Sequence, residues 1–133
     1  MVIKTFLSTI AIAATLLTAA PVFAAQGNHL IVSNLKVPNR SQLQAGVPYE
    51  ASIDIRTPGV SVELLQLCFV WGKDGPYCFK NYKMKKGSDG GVHPTIGLKT
   101  GNPGKYKLSA YMTYRAGGKK YESNATSLTI TVR

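Results

Sequence analysis

Cys68 and Cys78 are the two cysteines of the chain, nine residues lie between them, and lysines follow at once in "YCFKNYKMKKG". Two thiols can clamp a metal, exchange electrons or form a staple. A structural zinc site takes about four ligands, and beyond these thiols the chain offers His29 and His93, at no ligand-like spacing. A thioredoxin-type pair has about two residues between its cysteines, which this spacing does not match. Copper could draw on His29, His93, Met84 and Met112, each an acceptable ligand, but Met112 is expected in the core and no pattern makes the others converge.

Catalytic chemistry has little to work with. Neither histidine lies near a nucleophile motif such as G-x-S-x-G. The six acidic residues, Glu50, Asp54, Glu63, Asp74, Asp89 and Glu122, are scattered, with no pair placed for acid–base work. The sequence therefore predicts no enzyme, no cofactor and no metal site.

The beginning of the chain decides among the cysteine chemistries. "MVIKTFLSTIAIAATLLTAAPVFA" has Lys4, an apolar run from Phe6 to Ala20, the helix breaker Pro21, and small residues Val22 and Ala24, the pattern of a secretory signal cut after Ala24. The run falls short of the roughly 20 apolar residues a membrane span requires. The mature form is expected to carry no transmembrane segment and to reside in the periplasm or outside the cell. Lone cysteine pairs close as structural disulfides in such oxidising compartments, so a Cys68–Cys78 disulfide is expected. Removing the first 24 of 133 residues leaves 109 and lowers the formal charge from +10 to +9. That length suits one domain with its own core, residues 25–133.

A balance this basic favours acidic partners: an anionic polysaccharide, an anionic envelope surface or an acidic protein. Lys80, Lys83, Lys85 and Lys86 are interleaved with Tyr82. If their strand shares a sheet with Lys107, Tyr111 and Arg115, the outward side chains form one basic and aromatic face, able to meet charge with lysine and to stack rings on sugars or bases. The competing reading is that lysines on an edge strand only block sheet-to-sheet aggregation.

The elements that would position these groups are strands. The mature chain alternates with a period of two between Gly, Pro, Asn and Asp punctuation and nowhere shows a helical stripe. Strands are predicted at "HLIVSNLKV", at "PYEASIDIRT" with Tyr49, Ala51, Ile53 and Ile55 on one face, and at "VELLQLCFVW", the most apolar. The "GKDGP" turn reverses the chain into a strand over Tyr77–Met84. Folding this hairpin about Lys73 sets Cys68 opposite Cys78, Phe69 opposite Tyr77 and Leu67 opposite Phe79. Leu65, Leu67, Phe69 and Trp71 then face the core, and the disulfide lies outside beside Gln66, Lys80 and Tyr82. "KKGSDGGVHP" reads as a loop before a short strand near "TIGLKT". Two last strands flank "AGGKK", with Tyr106, Leu108, Ala110 and Met112 inward in one and Leu128, Ile130 and Val132 in the other. The sequons Asn39-Arg40-Ser41 and Asn124-Ala125-Thr126 matter only in a eukaryotic secretory path, and the leader looks bacterial.

"NPGKYKLSA" resembles the start of strand F of immunoglobulin-like domains, Asp-x-Gly-x-Tyr-x-Cys. Asn102 stands at the Asp, Gly104 and Tyr106 match, and Leu108 stands at the Cys, as in fibronectin type III-like and other bacterial immunoglobulin-like domains. The resemblance implies that the Tyr106 hydroxyl bonds back to nearby backbone as a tyrosine corner. Ile53 replaces the usual inter-sheet cysteine, and Trp71 falls at the end of its strand, which departs from the antibody branch. The expected fold is all-β, an immunoglobulin-like sandwich of about seven antiparallel strands. The expected function is binding of an anionic polymer or acidic protein surface through Lys80, Tyr82, Lys83, Lys85, Lys86, Lys107, Tyr111 and Arg115. The alternatives are an interaction or assembly module, or an inhibitor, acting by sheet-edge contacts, and a periplasmic copper carrier.

Overall fold

The computed structural model describes residues 25–57, 61–88 and 91–133; the expected signal segment, 1–24, lies outside them. Alternating apolar residues give ten strands among the described residues. They are β1 (Ala25–Gln26), β2 (Ile31–Lys36), β3 (Tyr49–Arg56), β4 (Glu63–Trp71), β5 (Asp74–Phe79), β6 (Lys83–Lys86), β7 (Val92–Leu98), β8 (Gly104–Ala116), β9 (Lys119–Glu122) and β10 (Thr126–Val132). One sheet runs β1-β9-β8-β4-β5, with β10 also on β8, and the other runs β2-β3-β7-β6. Neighbouring strands are antiparallel except where β1 lies parallel to β9. Four strands in the order A-B-E-D facing C, F and G, with an added strand beside C, is the layout of an immunoglobulin-like sandwich.

The core lies between the sheets. Ala51 and Ile53 of β3, Leu67 and Phe69 of β4, and Leu108, Ala110, Met112 and Tyr114 of β8 are all fully buried. In β3 and β8 the inward residues occupy every second position, as the pleat requires. The β4–β5 register pairs Leu67 with Phe79, Cys68 with Cys78 and Phe69 with Tyr77, as the symmetric hairpin predicts. The sulfurs of Cys68 and Cys78 are bonded.

Three expectations are corrected. The register between β4 and β8 slips between Leu64 and Gln66, so Leu65 is the unpaired residue of a bulge, and Leu64, opposite Tyr114, takes the place on the core that Leu65 was expected to fill. Such a bulge adds one residue to one strand and turns the following side chains over. The predicted strand Tyr77–Met84 is divided: β5 ends at Phe79 in one sheet, and β6 begins at Lys83 in the other. Tyr82 turns in at this crossing and packs against the core instead of standing outside with the disulfide. The strand expected near Thr95 begins earlier, at Val92, and β6 pairs with β7 from Lys83–Thr95 to Lys86–Val92, so Lys85, Lys86, Val92, His93 and Pro94 of the expected loop lie in strands.

The tyrosine corner is present. Tyr106 donates its hydroxyl proton to the carbonyl of Asn102 at 2.8 Å. Gly104 has φ of 153°, a backbone conformation that side chains other than glycine rarely adopt, and a Cβ there would only touch the Tyr106 ring. β8 is long because two partners share one of its edges in turn: β10 along Gly104–Ala110 and β9 along Thr113–Ala116. At the junction the Ser123 hydroxyl accepts from the Met112 amide at 2.9 Å, and Asn124 reaches across to the other sheet. Its Oδ1 accepts from the Val32 amide at 2.9 Å, and its Nδ2 donates to the Val32 carbonyl at 2.8 Å.

Candidate binding site

The strand crossing decides where the predicted site residues go. Lys80 sits just past the end of β5, while Lys107, Tyr111 and Arg115 lie on β8 in the same sheet. Lys83, Lys85 and Lys86 belong to β6, at the edge of the opposite sheet. Tyr82 is half-buried between them, and burial raises its phenol above the ordinary value. The eight residues thus divide over both sheets.

On the β6 side the lysines are mixed with carboxylates. Lys85 Nζ lies 2.6 Å from Glu50 Oε2, and His93 Nδ1 lies 2.8 Å from Asp54 Oδ1. Asn34 Nδ2 donates to the second Asp54 oxygen at 2.8 Å. The hollow between these strands holds Lys36, Lys85 and Lys86 together with Glu50 and Asp54, a mixed surface with no strong sign.

The other sheet differs. Lys80, Arg115 and Lys120 line a shallow hollow of about 490 Å³ with Leu64, Leu65 and Gln66, and no carboxylate is among its lining residues. Backbone register builds it. The tight Gly117–Gly118 turn sets Lys120 opposite Arg115, which in turn lies opposite Glu63. Glu63 Oε1 holds Arg115 Nη1 at 3.1 Å; both groups are solvent-exposed, so the pair orients the guanidinium more than it stabilises the fold. The bulge delivers Leu65 as an apolar floor. Lys120 was missed by sequence reasoning although the two-glycine turn, read for register, places it beside Arg115.

Further along the same strand Tyr111 stands across from Cys68 in the register. Tyr111 is half-buried, and its phenol is raised by burial and then by the nearby Glu122 carboxylate. Cys68 is fully buried although it lies on the outward face.

The four copper candidates occupy separate elements. Met112 is fully buried in the core and Met84 is exposed on β6. His29 packs on Tyr121 at 4.7 Å between centroids, and its Nδ1 lies 3.2 Å from the Tyr114 hydroxyl. His93 is paired with Asp54. Among the described residues no three His, Cys, Asp or Glu side chains gather as metal ligands. No helix among them is long and apolar enough to cross a membrane.

Two antiparallel sheets face to face, closed by a tyrosine corner, define the class: an all-β, immunoglobulin-like sandwich carrying one disulfide. No protein-family model matches the sequence, and no curated protein is similar to it. Among solved structures, the chain is similar to the PKD domain of an M14-like peptidase from a Thermoplasmatales archaeon, with a TM-score of 0.48 and 18% identity, over 80% of this chain and 98% of that one.

Proposed function

We propose that this chain is an exported, non-enzymatic binding module whose cationic hollow holds anionic groups of a polymer or of an acidic protein surface. The observation that supports it is the convergence of Lys80, Arg115 and Lys120 around an apolar floor, with one carboxylate, Glu63, paired to Arg115 beside it. Lys107 and Tyr111 extend the same strand beyond the hollow. Export agrees with the leader pattern and with a closed disulfide, which persists in oxidising compartments. Sheet-edge recognition is less well supported: β6 presents lysines at one edge and β5 carries Pro76 at another, features that blunt edge pairing.

The test is binding to heparin, as a soluble polyanion, over a range of salt. Each cation that contacts the polymer contributes about one to the slope of log affinity against log salt by analogy with nucleic acid. Lys80→Gln with Lys120→Gln should weaken binding and lower that slope by about two. Lys83→Gln with Lys86→Gln, on the other sheet, should change it much less. Affinity indifferent both to salt and to the first pair would end the proposal.

A further inference from the structure

A second site lies away from the cationic hollow, at the side of the sandwich where β5 overhangs the end of β7. The cleft there has a volume of about 470 Å³ and is bounded by Trp71, Tyr77 and Phe79 on one sheet and by Lys99, Asn102 and Tyr106 around it. Its aromatic walls are fixed in advance. Trp71 Nε1 donates inward to the Tyr49 hydroxyl at 3.0 Å, and that hydroxyl is bonded to Thr100 Oγ1 at 2.7 Å. Tyr77 is pinned from the other side, its hydroxyl donating to Asp74 Oδ1 at 2.7 Å. The two rings stand 5.6 Å apart at 67°, forming a corner. Tyr77 is nonetheless 45% exposed, a large apolar surface left to solvent at the mouth of a concave site.

We propose that this cleft binds a pyranose ring of a saccharide, laid against the Tyr77 and Trp71 rings, with the polar groups of Asp74, Asn102 and Lys99 meeting its hydroxyls. A sugar ring has an apolar C–H face and a rim of donors and acceptors, and the cleft offers the complement: a corner of ring surfaces beside a carboxylate, an amide and an ammonium. A pocket mostly apolar with a few convergent polar groups is the usual form of a small-ligand site. Rings fixed before binding also avoid the cost of ordering them.

A proline-rich peptide is the other occupant an aromatic groove can suggest. Its backbone carbonyls need donors, and the three aromatic donors of this cleft are committed: the indole N–H to Tyr49, the Tyr77 phenol to Asp74 and the Tyr106 phenol to the Asn102 carbonyl. The bond to Asp74, followed by the charge of that carboxylate, raises the Tyr77 phenol above its ordinary value, in keeping with that commitment. A sugar asks only the ring faces of these aromatic groups and takes its polar contacts from Asp74, Asn102 and Lys99. This inference goes beyond the cationic hollow and does not depend on it.

Trp71 is the one tryptophan of the chain, so intrinsic fluorescence reports this cleft directly. Cellohexaose, chitin hexaose and hyaluronan oligosaccharide, titrated separately, should include at least one that shifts or quenches the emission saturably. Neutral sugars that bind should do so at unchanged affinity when salt is raised. Stacking is worth enough that Tyr77→Ala should weaken binding about tenfold or more, whereas Tyr77→Phe, which keeps the ring, should stay within about threefold; unchanged denaturation midpoints show that both variants fold. The Lys80→Gln, Lys120→Gln protein should bind sugar normally, which separates this site from the hollow. No response to any of the three sugars, equal affinity for Tyr77→Ala, or a response to a polyproline peptide in their place would overturn the inference.

Discussion

Asn124→Ala tests how the two sheets are joined. β2 is an edge strand, and Val32, 1% exposed, turns its amide and carbonyl away from β3 toward the Asn124 side chain. That side chain completes the pairing that a further strand would otherwise supply. Alanine removes both bonds and leaves a buried donor and acceptor without a partner, at about 1–3 kcal/mol each, so a loss of about 2–4 kcal/mol is expected after partial access of water. In a domain of this size that lowers the melting temperature by about 10 °C or more. Equilibrium urea unfolding measures it, with an unchanged m-value showing that only stability moved. Asn124→Asp is the sharper variant: it keeps an acceptor for the Val32 amide but sets an oxygen against the Val32 carbonyl, and should cost at least as much. A loss under about 0.5 kcal/mol in both variants, typical of an ordinary surface change, would refute the idea that Asn124 serves as the missing partner of β2.

Other outcomes follow from the same geometry. Replacing Cys68 and Cys78 together by alanine releases a short loop, with a sequence separation of 10, and should lower stability by about 2–3 kcal/mol in the chain-entropy picture, measured by urea unfolding. Tyr106→Phe removes the corner bond to Asn102 and should cost about 1 kcal/mol, with amide exchange near Asn102 accelerated. Phe69→Ala, at a fully buried ring, should cost about 3–5 kcal/mol. The phenols of Tyr77, Tyr82 and Tyr111 are all raised above the ordinary tyrosine value, Tyr77 by its bond to Asp74 and the other two by burial. Their phenolate absorbance should therefore appear later than that of free tyrosine on alkaline titration. Because the folded values lie above the unfolded one, their contribution is intact below about pH 10 and is lost as pH rises through the folded values.

Alternation made most of the fold legible. In β3 and β8 one face is apolar and the other polar, so inward residues could be named from the sequence; the hairpin register followed from one turn and two cysteines. The tyrosine corner was readable because its Gly-x-Tyr spacing reflects a local backbone need, the positive φ of Gly104. The bulge was not, since "ELLQL" is apolar on both faces and slipping by one residue leaves no trace in the pattern. The sheet change after Phe79 was hidden for a related reason: "KNYK" keeps a strand-like alternation and has no glycine or proline to mark the crossing. The cationic hollow was legible in part, through Lys80 and Arg115, but the crossing carries Lys83, Lys85 and Lys86 away from them. The aromatic cleft draws on β4, β5 and the stretch after β7, a convergence that only the packed sheets reveal.

The lacing by Asn124 joins the two sheets along one side, as a spine joins the leaves of a book. The spine runs along β2 and β10, where Thr126 Oγ1 also accepts from the Leu35 amide at 3.4 Å and Leu43 bridges to Val132. The fore-edge, where β5 and β6 lie, is clasped by the short crossing after Phe79, with the cleft opening beside it. Any breathing of the two leaves should then pivot on the spine and widen the gap at the fore-edge, and a guest seated there would act as a second clasp.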